Sequence, residues 1–227
     1  MRVINPYVEV PSIDGTRMLR NIEEFGRTCY RSEGGVGDNS YLGFVKRLLD
    51  RGHESVLEHE KMTVRIICDR GVSHEIVRHR IAAYSQESTR YCNYSQDRFN
   101  NEIVVIKPYF WCNRDLPFDN PMRQIWARAC QAAEAAYFNL INEGATPQEA
   151  RSVLPNSLKT EIVVTYNLRE WRHVFKLRCA PDAHPQMRQI MIPLLLHFRQ
   201  MVPIIFSDIE YDAGFPSECY ADIIVTS

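Results

Sequence analysis

Apolar residues recur every three or four positions in two long stretches, which predicts two long helices. In 120–143 the apolar positions share one helical face: Met122, Ile125, Trp126, Ala129, Cys130, Ala133, Tyr137, Leu140 and Ile141. Asp119 is the expected N-cap, Pro121 suits the first turn, and Gly144 can end the helix. The second helix has this apolar face, with a kink expected at Pro193: Met187, Ile190, Met191, Leu194, Leu195, Phe198 and Met201.

Shorter stretches complete the helical prediction. Asp14 can cap a helix whose apolar face consists of Met18, Leu19, Ile22 and Phe25. Residues 41–49 predict a second helix, and the glycines of 26–40 predict a loop between the two. A further helix is expected over 168–177, because three large apolar residues fall on one face: Leu168, Trp171 and Phe175.

Runs rich in valine and isoleucine predict strands at 62–68, 103–106 and 162–166, and an edge strand at 3–10. The strands and helices do not alternate as regular βαβ units, which favours an α+β fold. No repeat or long linker divides the sequence, which predicts a single domain over 1–227. Neither a GxGxxG nor a Walker loop occurs, so a dinucleotide would not bind in the Rossmann manner.

The charge balance restricts the ligand classes. Lys and Arg number 27 against 28 Asp and Glu, and this near-neutral charge argues against a general nucleic-acid-binding protein. The seven scattered cysteines and the lack of a signal peptide predict reduced thiols in the cytoplasm. No apolar run is long enough for a bilayer, so no membrane partner is expected. An anion site must therefore be a local cluster of basic side chains.

One such cluster, Arg78-His79-Arg80, follows a short predicted helix that Ser73 can cap. Residues 78 and 80 would project about 200° apart on a continuing helix, so either the chain turns or the two arginines bind different ligands. The simpler alternative is a solvated surface on which Arg78 and Arg80 pair with Glu75 and Glu87.

The residues after this cluster favour a ligand site. Residues 82–91 are rich in hydroxyl and amide groups, and Ser88, Thr89 and Arg90 together suit a phosphate. Tyr84 and Tyr91 can flank a ring. A metal site is less favoured, because His53 and His59 are six positions apart, whereas a zinc HExxH motif needs two histidines four apart.

A second basic segment lies between Asn167 and Arg178. One face of its predicted helix carries Arg169, Arg172, His173 and Lys176, which by themselves indicate an ordinary solvated face. Arg178 is half a turn away from Arg169, so one helix could present Arg169 to one ligand and Arg178 to another. Arg151, at another helix end, is unremarkable by itself.

Arg78-His79-Arg80, seven residues and then Ser88 resemble the RHRX7S signature of the flavin-dependent thymidylate synthases. The similarity extends through 89–91, upstream to 52–55 and 58–59, and downstream to Arg151, Leu154 and Pro155. It implies a small, mainly antiparallel sheet packed with several helices. It also implies a homotetramer with active sites shared between subunits.

The resemblance assigns two groups of residues. Contacts to FAD are implied for Ser55, Arg78, His79, Arg80, Gln86, Asn167, Leu168, Arg169 and His173, with His53 near the flavin. Contacts to dUMP are implied for Glu75, Ile76, Val77, Arg78, Gln86, Glu87, Ser88, Thr89, Arg90, Arg151 and Arg178. Three positions depart from the pattern of many relatives, namely Glu75, Gln86 and Thr89.

The implied reaction is the reductive methylation of dUMP to dTMP, with 5,10-methylenetetrahydrofolate as the carbon donor and NADPH as the reductant of FAD. Arg178 is the candidate for polarising the uracil ring, since a guanidinium can stabilise charge developing at its N3 and carbonyl edge. Two alternatives stay open: a nonenzymatic RNA- or nucleotide-binding protein, and a flavoprotein of this fold that acts on another nucleotide.

Overall fold

The structure, a computed structural model, describes residues 1–29, 31–113, 117 and 119–227. Its strands are β1 (Arg2–Ile4), β2 (Tyr7–Pro11), β3 (Lys61–Asp69), β4 (Ala82–Gln86), β5 (Val104–Ile106), β6 (Lys159–Asn167) and β7 (Asp222–Thr226). Its helices are α1 (Gly15–Thr28), α2 (Ser40–Asp50), α3 (Arg70–Ile76), α4 (Tyr109–Asn113), α5 (Pro121–Asn142), α6 (Pro147–Ala150), α7 (Leu168–Arg178), α8 (Pro185–Met201) and α9 (Pro203–Phe206). In these ranges, no helix has the length and apolarity that crossing a membrane requires.

Within the described residues, a five-stranded sheet has the order β4-β6-β3-β2-β7. Its longest pairing is the antiparallel ladder of β3 and β6, which runs from Lys61 opposite Asn167 to Asp69 opposite Lys159. Burial alternates along β6, as expected for a strand with one face on the core. The remaining pairings in this sheet are antiparallel except that of β2 with β7. The predicted α+β fold with a mainly antiparallel sheet is confirmed.

Helices α7 and α8 form the core against the buried face of the sheet. Trp171 of α7 stacks on Phe175 and meets Phe198 of α8 edge-on, with ring centroids 5.2 and 5.1 Å apart. The Trp171 indole also donates to the Met62 carbonyl of β3 at 3.0 Å, which fixes α7 to the sheet. Pro193 lies inside α8 and is buried.

The predicted edge strand at 3–10 is wrong in two respects. It consists of two strands that belong to different sheets, since β1 pairs with β5 and β2 pairs with β3 and β7. Pro6 lies at the break and has no N–H to donate to a ladder. The C-terminal strand β7 covers the free side of β2, so β2 is an interior strand.

Two helical faces are less buried than their periodicity predicts. Phe25 of α1 is 41% exposed and packs edge-on against the His59 ring. In α5, Met122 and Ile125 are exposed, whereas Cys130 and Tyr137 pack in a smaller core beside β5. Because α5 packs outside the main sheet, only part of its apolar face is covered. Its cap is Asn120, whose side chain accepts from the Met122 N–H, and not Asp119.

The predicted loop at 26–40 starts later than expected, because α1 continues to Thr28. A 3₁₀ turn occupies Glu33–Gly35, and residue 30 lies outside the described residues. Arg27 orders this segment, since its guanidinium donates to the carbonyls of Ser32 and Gly35 while it also pairs with Glu23.

The cysteines are not all reduced thiols, in contrast to the prediction. Cys112 near the end of α4 forms a disulfide with Cys219, while free thiols of the described chain include Cys29, Cys68, Cys130 and Cys179. The two bonded residues are 107 positions apart in sequence, so no local spacing indicates the pair. They meet because α4 packs on the 3₁₀ turn Ser217–Cys219 that precedes β7.

Helix α3 starts at Asp69 and not at Ser73. The Asp69 carboxylate accepts from the Val72 N–H at 2.8 Å and also from the side-chain amide of Gln186 on α8. Ser73 lies inside the helix, fully buried, with its hydroxyl bonded to the Arg70 carbonyl. Asp69 therefore sets where α3 begins.

Replacing Asp69 by alanine should lower the free energy of unfolding by about 1–3 kcal/mol, since it removes a helix cap and leaves the half-buried amide of Gln186 without its acceptor. Asp14→Ala is the matched control, because the exposed Asp14 caps α1 by accepting from the Arg17 N–H at 3.0 Å. Its loss should be about 0.5–1 kcal/mol. Urea denaturation measures both, and equal losses would contradict the role given to Gln186.

Candidate active site

The Arg78-His79-Arg80 segment lies beyond the end of α3, which agrees with the alternative that the chain turns at this point. Helix α3 ends at Ile76, and the N–H groups of Arg78 and His79 bond back to the carbonyls of Glu75 and Ile76 at 3.2 Å each. The three side chains then take different directions. His79 is buried, whereas Arg78 and Arg80 are exposed.

Tyr84 holds this turn from the neighbouring strand β4. Its hydroxyl lies 2.8 Å from the Ile76 carbonyl, within hydrogen-bonding distance of the His79 carbonyl, and 2.8 Å from the hydroxyl of Tyr166. Tyr84 was expected to flank a ligand ring. Its polar end instead braces the backbone at the end of α3.

The surface ion pairs considered for Arg78 and Arg80 do not form. Glu75 pairs with Arg178 at 2.8 Å, and Glu87 pairs with Lys159 at 2.9 Å. Arg78 and Arg80 instead line an open cavity of about 460 Å³ together with His74 and Val77. In the described part of the chain, all the polar groups that line this cavity are basic, so it suits an anion.

Arg178 reaches the same turn from the end of α7. Its Nε–H donates to His79 Nε2 at 3.0 Å, and its Nη1 donates to the Glu75 carboxylate at 2.8 Å. A longer contact of 3.4 Å joins its Nη2 to the Glu75 carbonyl. The cluster therefore joins Arg178 to His79 and Glu75, which precede it in the sequence by 99 and 103 positions. Because the Arg178 cation pairs with the Glu75 carboxylate, the negative charge at Glu75 is compatible with an anionic ligand nearby.

The environment of His79 keeps its imidazole neutral. Burial, and then the nearby Arg178 and His173, lower the pKa of His79 to about 4. Because Nε2 accepts from Arg178, the proton of the neutral ring lies on Nδ1, which is 3.8 Å from the Glu170 carboxylate. Burial raises the pKa of Glu170.

A second cavity, of about 480 Å³, opens beside this cluster along the start of α7. It is lined by Glu54, Glu58, Ile81, Asn167, Arg169, Glu170, His173 and Lys176. Arg169 pairs with Glu58 at 2.6 Å, and the Asn167 side chain caps α7 by accepting from the Glu170 N–H. The mixture of an apolar side chain, an amide and both charges suits a polar ring system better than a simple anion.

Gln86 lies at the end of β4 and is anchored on its amide nitrogen. This nitrogen donates to the hydroxyls of Ser73 at 2.9 Å and Thr160 at 3.1 Å. Glu87 is held by Lys159 and by the Tyr94 hydroxyl, at 2.9 and 3.2 Å. Glu87 is therefore part of the support of the following loop.

The Ser88–Arg90 loop meets Arg151 across 62 positions of sequence, since the Arg151 guanidinium lies 3.4 Å from the Thr89 hydroxyl. Ser88 Oγ accepts from the Arg90 N–H at 3.3 Å. Arg90 and Arg151 are both exposed, whereas Thr89 is buried. The Arg90 guanidinium lies over the Tyr91 ring, 5.2 Å from its centroid. The Arg151 cation and the Thr89 hydroxyl therefore meet at this loop, and a cation beside a hydroxyl suits a phosphate.

The other predicted contacts are distributed differently. Ser55 is exposed on the 3₁₀ turn Glu54–His59, next to the second cavity, and His53 precedes it. The side chains of Leu168 and Ile76 are fully buried in the core, so only their backbones could contact a ligand. No cluster of three or more potential metal ligands occurs in the described residues.

Sequence reasoning missed several residues of the site, above all Glu170, Tyr166 and the lining residues Glu54 and Ile81. Glu170 belongs to the segment already singled out, but its position faces His79 only because α7 packs beside the end of α3. Arg172, assigned to a solvated face, is instead buried and pairs with Glu54 and Asp208. Only the tertiary contacts separate it from Arg169.

Comparison with known proteins gives similarity to thymidylate synthases in the family model and in the curated relatives. The family described as thymidylate synthase complementing protein matches residues 13–204. The chain is 35% identical over 189 residues to the flavin-dependent thymidylate synthase of Geobacter sulfurreducens, covering 80% of this chain and 78% of that one. It is 33% identical over 207 residues to the enzyme of the same name from Mycobacterium avium, covering 83% and 78%.

A solved structure shares the fold. The UMP/dUMP methylase PolB of Streptomyces cacaoi, crystallised with 5-Br dUMP, superposes with a TM-score of 0.70 at 20% sequence identity. The match covers 91% of this chain and 96% of that one.

The low pKa of His79 gives a testable pH dependence. As pH falls from about 6.5 to about 4, His79 becomes protonated in the unfolded chain but stays neutral in the folded protein. The contribution of His79 to the free energy of unfolding therefore decreases as the pH is lowered. His79→Gln removes that contribution and should flatten the profile of unfolding free energy over this window, measured by urea titration at each pH. Parallel profiles for the two proteins would contradict a neutral, buried His79.

The sign of this pH dependence follows from the groups that face His79. They are Arg178, His173, Glu170, Tyr84 and Tyr166. Arg178 and His173 disfavour protonation of His79, whereas a carboxylate at Glu170 favours it. The difference between wild type and variant isolates His79 from the other titrating groups, provided that both proteins are folded at pH 7.

Proposed function

This chain belongs to the flavin-dependent thymidylate synthase family, and we propose that it converts dUMP to dTMP with 5,10-methylenetetrahydrofolate as carbon donor and NADPH as the reductant of FAD. The observation that carries the proposal is the cluster of Arg178, His79 and Glu75, which joins both sequence segments of the predicted site. Cavities of about 460 and 480 Å³ open on this part of the fold.

The residues present fit a flavin dinucleotide. The cavity with His74, Arg78 and Arg80 offers cations for the diphosphate. The cavity beside α7 offers Ile81 as an apolar surface, with Asn167, Arg169 and His173 as polar partners of a ring and ribityl chain. Ser55, Gln86 and the backbone of Leu168 complete the proposed FAD contacts. When bound, FAD supplies the hydride chemistry of the reaction.

We assign the phosphate of dUMP to Ser88, Thr89, Arg90 and Arg151, because these residues converge on one loop. The turn after α3 then lies on the side of the sugar and base, with contacts from Glu75, Val77, Arg78, Gln86 and the backbone of Ile76. Glu87 would act from behind this loop, through Lys159. The description of PolB as a UMP/dUMP methylase supports a uridylate as the class of substrate.

Arg178 is proposed to act at the uracil ring. Three of its five N–H groups point to His79 and Glu75, which leaves two for a ligand. A guanidinium held beside the N3 and carbonyl edge would stabilise negative charge there, and this makes C5 more nucleophilic. Ser88 is an anchor in this scheme, since its Oγ already accepts from the Arg90 N–H.

The proposal includes a homotetramer with active sites shared between subunits. Two features support it: the cavities are open at the surface of the single chain, and α5 exposes Met122 and Ile125. A surface with uncovered large apolar side chains is typical of association.

Two substitutions should separate the ligands. Arg80→Ala should weaken FAD binding and leave dUMP binding unchanged, whereas Arg90→Ala should do the reverse. Each removes a charge-assisted contact worth about 1.5–3 kcal/mol, or roughly 10- to 100-fold in Kd. Flavin fluorescence and calorimetry with dUMP measure the two affinities. If both variants lost the same ligand, the assignment of separate sites would be wrong.

Arg178→Ala should lower kcat for dTMP formation by about 10²- to 10³-fold, the usual cost of removing one such electrostatic group, while much FAD binding remains. The assay contains FAD-loaded protein, dUMP, methylenetetrahydrofolate and NADPH, with dTMP measured by chromatography. Arg17→Ala, at an exposed position of α1, is the control. Unchanged turnover in Arg178→Ala would remove this residue from the mechanism.

The same assay discriminates the alternatives. A colourless protein that takes up no FAD and binds long nucleic acids would point to the nonenzymatic alternative. Turnover of UMP without turnover of dUMP would point to another nucleotide. Absence of dTMP from properly loaded wild-type protein would exclude the proposed reaction.

A further inference from the structure

His79 differs from the two arginines beside it. Arg78 and Arg80 extend into an open cationic cavity, whereas the His79 side chain turns inward and is 7% exposed. Its Nε2 accepts the Nε–H of Arg178 at 3.0 Å, and its Nδ1 lies on the side of Glu170. Both ring nitrogens therefore face protein groups.

We propose that His79 is a positioning residue, which orients the Arg178 guanidinium through its unprotonated Nε2 and does not contact FAD through its side chain. The proposal rests on the role of Arg178 given above. An arginine side chain has four rotatable bonds before its rigid guanidinium plane, so a fixed Nε contact restricts the plane in which the remaining N–H groups lie. Glu75 fixes the same group at Nη1, and the two contacts together define its orientation.

The position of His79 is itself held from the backbone. Its N–H bonds to the Ile76 carbonyl and its own carbonyl is bonded to the Tyr84 hydroxyl. Tyr84 is in turn bonded to Tyr166 of β6, the strand that leads into α7. Strands β4 and β6 thus hold the backbone of His79 through Tyr84 and Tyr166, and β6 also leads into the helix that carries Arg178. This arrangement limits displacement of the imidazole relative to the guanidinium.

Two amide substitutions test the geometry. The carbonyl oxygen of Gln can occupy the position of imidazole Nε2, whereas the shorter Asn reaches only the position of Nδ1. We expect His79→Asn to lose kcat by about 10²-fold, comparable to a misplacement of about 1 Å. His79→Gln should recover most of that loss. FAD affinity should be retained in both variants, with Arg80→Ala as the positive control for a flavin contact.

A double-mutant cycle tests the contact without turnover. His79→Asn and Arg178→Ala, singly and together, are compared in the free energy of unfolding and in dUMP affinity. If His79 acts through Arg178, the double variant should bind dUMP no more weakly than Arg178→Ala alone. The stability cycle needs neither substrate nor flavin, so it reports the contact even if the proposed reaction fails.

The outcomes decide the proposal in either direction. Retained FAD affinity, rescue by Gln and a non-additive cycle would support it. A loss of FAD affinity in both amide variants, similar to that in Arg80→Ala, would show a side-chain contact with flavin and overturn it. Equal kcat values for Gln and Asn, or additive effects with Arg178→Ala, would also overturn it. Should His79→Asn fail to fold, FAD affinity in His79→Gln alone makes the decision.

Discussion

The antiparallel ladder between β3 and β6 is the constraint on which the site depends. It pairs nine residues of each strand, which corresponds to about 27 Å. Helix α3 leaves one end of this ladder and α7 leaves the other, because the strands run in opposite directions. Their seven and eleven residues correspond to about 10 and 16 Å. The two lengths together match the ladder, and the ends of the helices meet at Glu75, His79 and Arg178.

The ladder also explains which parts of the fold the sequence could predict. Helices α7 and α8 carry clear periodic patterns because each buries one face, and both were predicted. Strands β3 and β6 were predicted from runs rich in valine and isoleucine, although for β6 only 162–166 was identified. The position of β2 depends on β7, a short strand of mixed burial whose partner is more than 200 residues away. The disulfide and the packing of α5 likewise depend on tertiary contacts that leave no local pattern.

The site shows the same division. Motif resemblance selected Arg78 to Arg80, Ser88 to Arg90 and Arg178, but not what each side chain touches. His79 and Arg78 are neighbours in sequence, and one is buried while the other is exposed because the chain turns after Ile76. Arg169 and Arg172 are equally basic, yet Arg172 is held by Glu54 and Asp208 inside the protein. A charge pattern indicates that anions are involved, but only packing decides which charges are available to bind them.

The covering of β2 by β7 has a consequence for how the chain folds during synthesis. β2 is made early and β7 late, so the backbone groups on that side of β2 have no partner until nearly all of the described chain has emerged from the ribosome. Such an open strand can pair with another chain, and closing so long a loop is slow. The nascent protein should therefore be most prone to association before β7 docks.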